Sequence, residues 1–183
     1  MNLSRSMRKL CTTLTSSLEL EAPADPQTLF RALCDAMSRT RGGRPIVLRF
    51  ERFPTELTTS GLWLNMEKYD IVVVEKYTTP DHQLVILGHE LWHMNAGHCG
   101  EHGRRAADAA RSLPDASSLT YESVAARSHY EDAQEIEAER FGLMLGDRCR
   151  AWLAGGESSA AGRRDGGVAG RIGSALGYRG PIG

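Results

Sequence analysis

Long apolar runs, paired cysteines and a surplus of either charge are all missing from this chain, and each absence narrows what it can be. No stretch approaches the length of a membrane span, and the N-terminus "MNLSRSMRKLCTTLTSSLEL" lacks the apolar block of about 7–15 residues that a secretory signal needs. Its scarcity of acidic residues before Glu19 also fits an organelle transit peptide, but nothing like a cleavage site supports that alternative. A soluble cytoplasmic protein is the expectation. Cys11, Cys34, Cys99 and Cys149 stand far apart with no CxxC, which resembles neither a zinc ribbon nor a compact disulfide framework, so reduced thiols are expected. Lys and Arg total 22 against 23 Asp and Glu, a net charge of -1 that draws the chain toward neither nucleic acid nor a membrane surface. The one basic cluster, Arg163, Arg164, Arg171 and Arg179, lies in a glycine-rich tail, which argues against direct nucleic-acid binding. There is no internal repeat.

With 183 residues the chain suits one domain that can bury a core unaided, so a metal site would serve chemistry rather than folding. Residues 1–24 form an N-terminal segment, with helix as one reading. "PQTLFRALCDAMSRT" from residue 26 spaces Leu29, Phe30, Leu33, Cys34 and Met37 at helical intervals behind Pro26. "PIVLRFERF" and "DIVVVEKY" read as strands, and "GLWLNM" as a third that pairs with the second across "EKY". "TTPDHQLVILGHELWHMNAG" carries helix signals at both ends: Thr79 as N-cap, Pro80 and Asp81 in the first turn, Gly97 at the exit. A polar connection, with room for a short helix near "RRAADAARSL", leads to a second long helix from about Tyr130 to Leu153. Residues 154–183 hold ten of the 19 glycines and read as a mobile tail.

The chemistry concentrates in "VILGHELWHMNAGH". On a helix His89 and His93 lie roughly 40° apart around the axis and one turn along it, so both imidazoles can converge on one ion. Glu90, rotated by about 100°, is badly aligned as a ligand but well placed to hold a water and remove its proton. This is the physical content of H-E-x-x-H, in which zinc lowers the pKa of its water toward about 7. Leu84, Leu87, Leu91 and Met94 form a stripe on the opposite side, so the histidines point away from the leucines. The bland alternative is hydrogen-bonded or surface histidines. The three-histidine extension of the motif is disfavoured, because Cys99 stands where its third imidazole belongs and Ala96 where it requires glycine. His98 and His102 therefore read as polar loop residues, and Cys99 as an incidental thiol.

A catalytic zinc ordinarily takes three protein ligands. Glu131, Glu135 and Glu139 recur at four-residue intervals as a solvated face, whereas Glu137 shares a stripe with Tyr130, Ala133, Phe141 and Met144. A carboxylate among apolar neighbours needs a cation, so Glu137 is the expected third ligand, with Glu135 in reserve and a salt bridge to arginine as the structural alternative. Tyr130 reads either as an oxyanion donor or as core.

These residues resemble the ImmA/IrrE-type metallopeptidases, small gluzincin-like enzymes, over roughly residues 25–153. The resemblance rests on "SGLWLN", "DIVVVEKYTTPDHQLVILGHELWH" and "EIEAERFG" in that order. It implies an α+β, zincin-like domain over 25–153, with a short antiparallel or mixed sheet packed on the H-E-x-x-H helix and on a second ligand-bearing helix. It also implies one zinc ion held by His89, His93 and Glu137, with Glu90 as general base. Many relatives cleave helix-turn-helix repressors, which implies a protein substrate of that kind. Trp92 departs from the glycine the family often has there, and the stretch between the motifs is longer than is usual. Two further readings stand beside this one: a non-catalytic regulator or toxin–antitoxin component that binds a DNA-binding partner, and a zinc hydrolase of a non-peptide substrate.

Overall fold

The computed structural model describes residues 3–53, 59–98 and 131–153. Over these residues the chain is α+β, with four helices and a three-stranded mixed sheet. In chain order the elements are α1 (Leu3–Ser16), α2 (Pro26–Thr40), β1 (Ile46–Glu51), β2 (Gly61–Asn65), β3 (Asp70–Glu75), α3 (Pro80–Ala96) and α4 (Glu131–Leu153). The proposed short helix near residue 104, Tyr130, His102, Cys99 and the tail from 154 lie outside the described residues.

Local chemistry accounts for the ends of the helices. Asp25 caps α2 by accepting from the Thr28 amide at 2.9 Å, with Pro26 following in the first turn. Thr79 caps α3 by accepting from the His82 amide, and Gly97 closes it with φ 72°, a left-handed conformation that glycine adopts without Cβ strain. The N-terminal segment is helical and belongs to the main core, where Met7, Leu10, Cys11 and Leu14 of α1 are buried. It is tied to the far end of α4, since Ala24 donates to the Trp152 carbonyl and the Trp152 indole donates to the Leu20 carbonyl.

The sheet order is β1-β3-β2, with β1 parallel and β2 antiparallel to the central strand. Asn65 pairs with Asp70, so β2 and β3 form a hairpin across Met66–Tyr69, as the sequence pattern predicts. Alternation divides the side chains: Trp63, Val72 and Val74 face the helices, while Leu62, Leu64, Ile71 and Val73 form a second cluster with Phe53 and Met66. Asp70, fully buried at the hairpin's end, accepts from Arg41, from Arg44 Nε at 2.8 Å and from the Trp63 indole at 3.0 Å. Arg44 also donates to the carbonyls of Met66, Glu67 and Tyr69. The buried carboxylate is therefore paired, and the pair welds the hairpin turn to the start of β1.

α3 is the central element. Leu84, Leu87, Leu91 and Met94 are buried as their spacing predicts, but Gly88, Glu90, Trp92 and His93 are buried as well. The helix has little open side because α4 lies directly across it. A Cβ added to Gly88 would stand 2.9 Å from the Gly142 α-carbon, and one added to Gly142 would collide with the Val85 carbonyl oxygen. Only two glycines allow the backbones this close.

Gly142→Ala is therefore expected to destabilise the fold. The gain in helix propensity is about 1 kcal/mol, whereas forcing a methyl against a backbone oxygen costs about 1–3 kcal/mol and spreads the helices. Gly146→Ala is the control, since its new Cβ meets only Cγ2 of Val85, at 3.2 Å. Urea unfolding should give a lower midpoint for Gly142→Ala and none for Gly146→Ala; equal midpoints would contradict the close crossing.

Candidate metal centre

The crossing of α3 and α4 decides which side chains meet. His89 and His93 lie one turn apart on α3, with their Nε2 atoms 3.0 Å apart. Across the interface, Oε2 of Glu135 is 3.2 Å from His89 Nε2, and Oε1 is 3.4 Å from His93 Nε2. His89, His93 and Glu135 thus form a group that could hold a metal ion. Glu137, expected as the third ligand, is half-buried on the same helix and is not a member of this group; Glu135, the reserve, stands in its place.

The reason is rotational. Gly142 marks the side of α4 that touches α3, and Glu135, seven residues earlier, returns to within about 20° of it. Glu137, five residues earlier, is turned about 140° away. Of the stripe that the sequence draws around Glu137, Phe141 is fully buried, but Met144 is only half-buried and Ala133 is exposed. The buried line runs instead through Ala138, Gly142, Leu145 and Cys149. A glycine carries no hydropathy signal, so its role as the contact point was invisible to a search for apolar stripes.

The donor set is one that could hold a divalent metal ion. Each imidazole faces a different oxygen of Glu135, His89 Nε2 at 3.2 Å from Oε2 and His93 Nε2 at 3.4 Å from Oε1, and one ligand atom from each of the three residues lies within 4.8 Å of the others. Side-chain exposure rises from 1% at His93 through 24% at His89 to 49% at Glu135, so the group has a buried floor and an open mouth.

Electrostatics tie the three groups together. Burial opposes charge on His89, but its hydrogen bond to Glu135 and the charges of Glu90, Glu135 and Glu139 outweigh it and raise its pKa. Burial likewise pushes the Glu135 carboxyl up, and the hydrogen bonds and charges of His89 and His93 reverse this and hold it well below the usual carboxylate range. Without an ion, a proton shared with His89 balances the glutamate.

Glu90 is 5% exposed and lies beside the first residue of β2: a Cβ on Gly61 would stand 2.6 Å from Glu90 Oε1 and 2.6 Å from Ile86 Cγ2. Among the described residues its carboxylate makes no hydrogen bond or ion pair. Cys11, Cys34 and Cys149 are free and buried, and burial raises all three thiols, Cys34 and Cys149 to about 12, which makes them inert core residues.

Two outcomes test the centre. Zinc bound per chain should fall sharply in Glu135→Ala and persist in Glu137→Ala; the opposite ranking would restore Glu137 as the ligand. In chelator-stripped protein the His89 imidazole should titrate above 6.5, and in Glu135→Gln it should fall, because burial then acts with less opposition. The raised value stabilises the metal-free fold at pH below the unfolded histidine's pKa, and that contribution disappears as pH climbs through the folded one. Nitrogen-detected NMR of the histidine rings reads both.

Compared as a whole with known proteins, the chain matches no family model, no curated protein and no solved structure.

Proposed function

We propose that this protein is a zinc-dependent peptidase whose ion is held by His89, His93 and Glu135, with Glu90 as general base. The observation that carries the reading is the convergence of two imidazole nitrogens and one carboxylate, whose ligand atoms lie within 4.8 Å of one another, with a buried glutamate next to the first histidine in sequence. Zinc in this position would supply Lewis-acid polarisation of a carbonyl and would acidify a water. The chain's own groups supply the rest. Glu90 takes the proton from the water and delivers it to the departing amine, a task that fits a carboxylate with no competing partner among the described residues. His93 anchors the floor, and the exposed side of Glu135 leaves the approach open.

A peptide substrate also needs a backbone partner. β2 is an edge strand among the described residues, and it begins at Gly61, against Glu90. An extended peptide that added to this edge would pass the general base with its backbone hydrogen bonds satisfied. The ImmA/IrrE resemblance, with its zincin-like fold, supports the same reading and suggests a helix-turn-helix repressor as substrate. The widely spaced, buried thiols suit a reducing cytoplasm. No described helix is long and apolar enough to cross a membrane.

Glu90→Gln separates this reading from a binding module with a structural metal. The variant should retain one zinc per chain by elemental analysis while hydrolysis of a quenched fluorescent peptide library falls by about 10²- to 10⁴-fold. Wild-type protein free of metal after purification in zinc-containing buffer, or undiminished hydrolysis by Glu90→Gln, would overturn it.

A further inference from the structure

The motif does not end at His93. α3 stops at Ala96, and the left-handed Gly97 turns the chain back over the last helical turn. The Gly97 amide donates to the His93 carbonyl, and the His98 amide donates to the same oxygen at 3.1 Å. This double closure sets the His98 ring against its neighbour, with the two Nδ1 atoms 3.1 Å apart and the ring centroids at 5.2 Å.

The two nitrogens of His93 therefore have separate surroundings. Nε2 faces His89 and Glu135, while Nδ1 faces His98. An imidazole that gives its Nε2 lone pair to an ion must carry its proton on Nδ1, and that N–H requires an acceptor. In a ring only 1% exposed, an unmet donor would be costly. His98 Nδ1 is an acceptor at hydrogen-bonding distance, provided its own proton sits on Nε2.

We propose that His98 is a positioning residue: by accepting from Nδ1–H of His93 it selects the tautomer, and fixes the ring angle, with which His93 presents Nε2 to the metal. The inference rests on the metal-centre reading and adds to it a residue that the sequence places in a loop. Partners of this kind are ordinarily carboxylates or backbone carbonyls, and their loss weakens metal binding by about 10- to 100-fold. Here a second imidazole, delivered by the helix's glycine cap, takes that part.

The test is zinc affinity, read by competition with a chromophoric chelator on the full chain. In His98→Asn the amide oxygen can stand where Nδ1 stood, so affinity should stay close to wild type. His98→Phe keeps the ring and removes the acceptor, and its affinity should drop by about 10- to 100-fold. Far-UV circular dichroism and melting of the chelator-stripped forms should be the same for all three. If wild type binds zinc and His98→Phe binds it equally well, or if Asn and Phe weaken it alike, the positioning role is wrong while the metal centre stands. If wild type takes up no zinc, the metal-centre reading itself fails.

Discussion

The contact between Gly88 and Gly142 is the constraint on which the rest of the site depends. Side chains at either position would hold α3 and α4 apart, and a glutamate on one helix could not then reach two imidazoles on the other. Helix axes normally pack about 8–10 Å apart, with the separation set by the side chains at the contact. Here the smallest residue meets itself, and two turns earlier on α4 the Glu135 carboxylate lies within 3.4 Å of both imidazole nitrogens. Backbone proximity, not side-chain length, closes the triangle.

That closeness has an electrostatic consequence. Held this close, the groups perturb one another: the pKa of His89 is raised and that of Glu135 is depressed. A divalent cation held there, as proposed, would take the lone pairs that otherwise compete for a proton. Glu90 stands outside the triangle, one residue round the helix, covered by the start of β2 and without a partner among the described residues. The proposed ligand and base roles would thereby be divided by about 100° of helix.

The sheet contributes by holding still. β3 is the central strand and leads directly into α3, so any slip of the sheet would move the motif helix. The buried Asp70, bound by two arginines and an indole, locks the far end of the hairpin and leaves Gly61 at the end nearer to Glu90. The clamp and the site occupy opposite ends of β2. The strand is short enough, at five residues, for one to register the other.

Much of this was legible in the residues themselves. The three strands, the hairpin partner, the caps at Thr79 and Gly97 and the pairing of His89 with His93 follow from period-two alternation, turn chemistry and the four-residue helical repeat, all of which are local. The third acidic partner was not, because Glu135 and Glu137 differ only in their angle to a helix that lies some forty residues away in sequence. The return of His98 onto His93 was equally hidden, since it depends on where a left-handed turn sends the next side chain. The sequence by itself determined the elements and the residue types able to ligate a metal; the tertiary structure decided which carboxylate and which outer imidazole they meet. Local periodicity specifies a face of a helix, and only the glycine crossing specifies what that face touches.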